Sequence, residues 1–182
     1  MKYLIFLNYL IRHKWHVFVE CCRFGVPWRG ITHDLSKFLP GEFMAYANHY
    51  YDTNINSGRI ININEVENPS YYLAWLVHQK RNRHHWQWWI LHGEDDNPKV
   101  IPMPEKYVKE MVADWRGAGR AQGQPDISAW YQANKDKMIL HISTRNRVEQ
   151  LLEYDRIIDS EYHRGTAAVA NSLSLKAVDN LN

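Results

Sequence analysis

The chain has 182 residues and a formal net charge of +2, from 22 Lys and Arg against 20 Asp and Glu. That length suits one domain, and a hydrophobic share of 45% is enough for a single core. So even a charge balance excludes the strong basic excess of an indiscriminate nucleic-acid binder. The adjacent pair Cys21 and Cys22 cannot build a disulfide framework; both are expected to pack, in a reducing compartment.

The N-terminal run MKYLIFLNYLI is broken by Lys2 and Asn8 and runs into Arg12, His13 and Lys14. It is too short and too polar for a spanning helix and has no small-residue cleavage site. We read it as the start of an amphipathic helix from Tyr3 to Phe24, ending near Gly25 and Pro27, in a cytoplasmic protein with no membrane partner. Pro40 starts a second helix over about Gly41 to Tyr51. The alternation Ile60 to Val66 is a loop or short extended piece. Asn68-Pro69 pairs a cap residue with proline at the first helical position, opening a helix to about His92. Gly93 to Pro104, with three prolines, reads as a loop. Further helices are expected over Glu105 to Gly117, Asp126 to Leu140 and Thr144 to His163. The expected fold class is all-α, a compact single-domain helical bundle over residues 1–164 with a polar tail at 165–182.

The residues that carry chemistry are spread along this frame. His13 and His16 lie three apart on the first helix and share a face. His33-Asp34 stands in GITHDLSKF at an element boundary, where imidazole and carboxylate can bind one divalent cation. His78, Asn82 and His85 in HQKRNRHHW fall at i, i+4 and i+7, one face of a helix, with His84 pointing elsewhere. Asp114, in KEMVADW, sits among core positions, where a carboxylate is costly unless paired or metal-bound. Lys37 suits a phosphate as a point charge. Lys80 and Arg83 can rim an anionic substrate, with Arg81 farther from the histidine stripe. Glu42 and Tyr46, four apart, suit a supporting or general acid/base role. Trp75, Trp86, Trp88, Trp89, Trp115 and Trp130 are read as core or cavity wall, and His49, His92, His141 and His163 as surface or structural.

Followed by Leu-Ser-Lys, the His33-Asp34 pair resembles the HD-[IL]-G-K signature of the HD-domain metal-dependent phosphohydrolases, with Ser36 where glycine is usual. The elements HK-x-x-V, HDLSKF-x-x-x-EF, H-x-x-x-N-x-HHW and M-x-x-DW together look like an uncharacterised family of small phage and bacterial proteins. The likeness covers about residues 10 to 116. It implies a helical fold and a site for one or two divalent ions (Mn, Fe, Co, Ni, Zn or Mg). His33, Asp34 and Asp114 would bind the first ion, with His13 or His16 as fourth ligand, and His78 and His85 a second. It also implies hydrolysis of a nucleotide or similar small phosphoester by metal-activated water, which Asp34 helps to orient. Asp34, Lys37 and Glu42 are then the catalytic candidates, and Lys37, Lys80, Arg83 and Tyr46 the substrate-binding ones. The alternatives are a non-catalytic metal-binding interaction protein, such as a phage accessory protein, and a nuclease, which the near-neutral charge disfavours. A homo-oligomer is compatible with all three.

Overall fold

Helix α1 (Lys2–Arg23) buries Phe6, Leu10, His13, Val17, Glu20 and Cys21, a stripe at steps of three and four. The computed structural model that shows it describes residues 1–51, 68–93, 97–154 and 156. Cys21 packs as expected, whereas Cys22 is exposed, because neighbouring positions on a helix point about 100° apart. Gly25, at φ +71°, turns the chain out of α1. A short helix that the sequence reading passes over follows, α2 (Pro27–Thr32), with proline at its first position. The Lys14 ammonium donates to the carbonyls of Gly30, Ile31 and His33 at 3.1, 2.7 and 2.5 Å, satisfying the otherwise bare end of α2.

One 3-10 turn (Leu35–Phe38) leads into α3 (Pro40–Tyr51). Helix α4 (Pro69–Arg81) starts as expected, the Asn68 side chain accepting from the Tyr71 N–H. It ends well short of His92. Asn82 is extended (φ −106°, ψ 108°), and both its backbone N–H and its side-chain amide donate to the His78 carbonyl at 3.0 Å. A 3-10 turn (Trp86–Trp89) and strand β1 (Ile90–Leu91) follow; β1 pairs antiparallel with β2 (Lys99–Val100), Ile90 opposite Val100.

Helix α5 (Glu105–Ala121) runs past Gly117, the expected end. Position 117 takes glycine because α1 passes against it: a Cβ there would lie 2.5 Å from Val17 Cγ2 and 2.8 Å from its backbone nitrogen. Helix α6 (Ile127–Asn134) is shorter than expected. The Asn134 amide donates to the Trp130 carbonyl, and Arg145 takes the carbonyls of Lys135 and Met138. A last helix, α7, covers residues 142–154. The expected elements at Ile60 to Val66 and beyond 156, His163 and the tail included, lie outside the described residues.

The fold is all-α apart from the two-residue strands. Its larger apolar cluster joins α1, α5, α6 and α7 through Val17, Met111, Val112, Tyr131 and Val148. A smaller one joins α1 to α3 through Phe6, Leu10, Tyr46 and Ala47, with Trp75 of α4 against it. His13 lies on the α1 stripe between the two. No helix among the described residues is long and apolar enough to cross a membrane.

Candidate metal centre

Between the clusters, α1, α4, α5 and two turns deliver buried histidines and carboxylates to one point. Asp34 is the only non-glycine among the described residues with positive φ (50°, ψ 28°). This left-handed geometry turns a 1% exposed carboxylate inward. Ser36, where the resembling signature has glycine, needs no such freedom. Its hydroxyl instead donates to Glu42 Oε2 at 2.8 Å.

Two ligand sets share Asp34. The first contains His13, His33, Asp34 and Asp114; the second contains Asp34, His78, His84 and His85. In the first, Asp114 Oδ1 is 3.2 Å from both His13 Nε2 and His33 Nε2, and Asp34 Oδ2 is 3.4 Å from His33 Nε2. In the second, Asp34 Oδ1 is 3.3 Å from His78 Nε2 and 3.4 Å from His84 Nε2. Bonds of about 2.0–2.2 Å to a common ion, meeting at about 90–110°, put neighbouring ligand atoms about 3.0–3.5 Å apart. The Nε2 atoms of His13, His33, His78, His84 and His85, and Asp34 Oδ1, have no hydrogen-bond partner among the described residues. Buried polar atoms are seldom left so. Inward lone pairs of imidazole and carboxylate suit a divalent transition ion, so these residues fit the expected group.

Other side chains fix the ligands from behind. Glu42, 4% exposed, takes His78 Nδ1 at 2.8 Å and Arg81 Nη1 at 2.9 Å. Glu110 faces the Nδ1 atoms of both His33 and His84, and Arg29 Nε donates to it at 2.6 Å. Charge follows this geometry. Burial alone would lower the His33 pKa, but Asp34 and Asp114 outweigh it and raise it to about 10. Burial and His84 push His85 well below its ordinary value. Desolvation opposes ionisation of Asp34 and Asp114, yet the imidazoles hold both well below the usual carboxylate range. Glu110 is pulled down to about 2 by His33 and His84 against the same penalty.

The centre opens on a cleft of about 700 Å³ lined by His13, His85, Asp114, Lys37, Tyr9 and Trp75, among others. Lys37 Nζ sits 2.7 Å from Asp34 Oδ2 at this mouth. An adjoining chamber shares Tyr9, Lys37, Tyr50, Trp75 and Gln122 with the cleft and adds Tyr46, Tyr51 and Arg12.

Of the residues expected from sequence, His13, His33, Asp34, His78, His85 and Asp114 meet here, and Lys37 and Tyr46 face the cavities. Four expectations need correction. His16 is half-buried and belongs to neither ligand set; three residues from His13, it is rotated about 60° from it on the helix. His84 does not point elsewhere but joins the second set at 1% exposure, because α4 ends at Arg81 and the following turn folds both imidazoles back. Glu42 does not face the cleft: it lies behind His78 with its oxygens engaged by Ser36, His78 and Arg81. Lys80 and Arg83 are exposed and line neither cavity; the Arg83 guanidinium lies over the Trp88 ring at 5.4 Å. Glu110 and Arg29 escape the sequence reading. Glu110 precedes Asp114 by four, a second acid on one helix face, and that spacing is its signal.

Residues 3–154 match a family of unknown function, DUF5662. The chain belongs to that family. The matched span contains every residue of the centre described above. No curated protein and no solved structure matches the chain.

Proposed function

We propose that the protein is a metal-dependent phosphohydrolase of the HD-domain kind, cleaving a small phosphoester, a nucleotide being the substrate that the resemblance implies. One observation carries the reading: five imidazoles with unpartnered Nε2 atoms gather in two sets that share Asp34, beside a lysine and an open cleft. Divalent ions held there would supply Lewis acidity, enough to bring the pKa of water toward neutrality and to polarise a phosphoryl oxygen. The remaining steps belong to the chain. Asp34 is acceptor-only and holds the proton side of an attacking water. Lys37, kept protonated by Asp34 and Asp114 despite burial, offers its ammonium to a phosphate oxygen. The buried Tyr46 hydroxyl, its pKa raised by desolvation and Glu42, stays protonated and can donate toward the adjoining chamber that shares Lys37. Trp75 and Trp115 wall the cleft and limit competing water.

The test is turnover of nucleotides, cyclic nucleotides and simple phosphoesters with Mn, Fe, Co, Ni, Zn and Mg in turn. The reading expects hydrolysis with at least one ion, lost in Asp34→Asn. Bound metal without turnover on any substrate would return the protein to a non-catalytic metal-binding role, and hydrolysis confined to polynucleotide would make it a nuclease. Failure to bind any ion would refute both metal readings.

A further inference from the structure

Glu110 stands where the two ligand sets meet. Its Oε1 is 3.2 Å from His33 Nδ1 and 3.3 Å from His84 Nδ1, while Oε2 accepts from Arg29 Nε at 2.6 Å. An ionised carboxylate only accepts, so both Nδ1 atoms carry the hydrogen, and the nitrogen that each imidazole offers a cation is Nε2, once His33 has given up its second proton. His33 belongs to the set with His13 and Asp114, and His84 to the set with His78 and His85. We propose that Glu110 couples the two cation positions by fixing the ligating tautomer of one imidazole in each. The proposal rests on the two-position reading of the centre. His33, His84 and Glu110 are also close enough to chelate an ion of their own. The Arg29 guanidinium already supplies a positive charge to that carboxylate, which argues against an ion there. Glu110 is therefore a positioning residue.

Its chemistry gives a discriminating variant. In Glu110→Gln the side chain keeps one acceptor end and gains one donor end. Arg29 demands the acceptor, so the amide NH2 turns to the two imidazoles. Each Nδ1 must then accept, the hydrogen moves to Nε2, and each set loses a ligand at once. Adding Arg29→Ala frees the amide to rotate, returning its carbonyl oxygen to the imidazoles.

The experiment is calorimetric titration with Mn or Zn and elemental analysis of wild type, Glu110→Gln and Glu110→Gln/Arg29→Ala, with circular dichroism to verify folding. Wild type should take two ions. Glu110→Gln should lose affinity at both positions together, by about 10–100-fold at each, the usual cost of removing a group that orients a ligand. The double variant should recover much of the loss. Imidazole nitrogen spectra of the Zn-loaded wild type should show hydrogen on Nδ1 of His33 and His84.

Weakening at one position only, unchanged binding of both ions, or a double variant no better than Glu110→Gln would overturn the coupling. If Glu110→Gln does not fold, the wild-type spectra decide, and hydrogen on Nε2 of either histidine overturns it. Fewer than two ions in wild type would defeat the two-position reading itself, and the coupling with it.

Discussion

Asp34 belongs to both ligand sets and holds the left-handed turn between them. A left-handed backbone at a residue with a Cβ carries a cost of about 1–3 kcal/mol that the surrounding structure must offset. Asparagine adopts that region readily, so Asp34→Asn keeps the turn while weakening a shared ligand. Its turnover should fall more than about 100-fold, beyond the usual effect of groups one step removed from the ion, with the helical circular dichroism signal unchanged; wild-type turnover would remove Asp34 from the mechanism. Lys37→Met should reduce kcat/KM by about 1.5–3 kcal/mol, the scale of a charged hydrogen bond, at unchanged metal content. Arg83→Glu is the control and should do much less, since Arg83 lines neither cavity. Arg81 cannot serve as that control, because it pairs with the Glu42 that holds His78. Equal losses at Lys37 and Arg83 would mean only general electrostatic attraction.

At the scale of elements, the helices were legible wherever a cap, a proline or a sustained apolar stripe marked them. α1, α3, the start of α4 and the start of α5 follow the sequence signals within a residue or two. The end of α4 does not. Nothing in the run from His78 to His92 breaks helical periodicity, and the stop comes from Asn82 turning its amide on the preceding carbonyl. That local choice moves His84 from solvent to the centre, so the ligand set could be read only in part. Glu110 was hidden for another reason: its partners lie 77 and 26 positions away in sequence (110 − 33 and 110 − 84), and no periodicity records that. The α1–α5 contact is a packing test of the same centre, since His13 and Asp114 sit on its two sides. Gly117→Ala should gain about 1 kcal/mol in helix propensity but lose about 1–3 kcal/mol to overpacking against Val17. The net result should be a destabilised protein with weakened metal binding. Thermal melts and cation titration of this variant check both effects, and a more stable variant with full affinity would show that the helices have room to part.

Over the whole molecule, ions in these two sets would tie α1, α4, α5 and two turns together. At a free ion concentration 100 times Kd, the native state gains about 2.7 kcal/mol. For a chain of this size that is a shift in Tm of about 5–10 °C, and chelation should reverse it. The same melts test the protons. With no ion, the raised pKa of His33 contributes stability that is fully present below about 6.5, the ordinary histidine value, and is lost as pH rises through about 10. The Tm of chelator-treated protein should therefore fall between pH 7 and 10. Ions take neutral imidazole, so loading at pH 7 should release protons, and affinity should rise with pH. Calorimetry in buffers of different ionisation enthalpy measures the release; a heat independent of buffer would mean that His33 is already neutral.

The place of Glu110 on α5 has a consequence for how the molecule is made. His78, His84 and His85, with Asp34, leave the ribosome before α5, so their set is complete in composition by residue 85. Without Glu110 the tautomer of His84 is not fixed, and the set stays unfinished until α5 follows. Translation at about 5–20 residues per second separates His13 from Asp114, 101 positions apart (114 − 13), by about 5–20 s. Only from residue 85 onward does the growing chain hold all five imidazoles, still without the helix that organises them, so ordered metal capture must wait until α5 docks on α1.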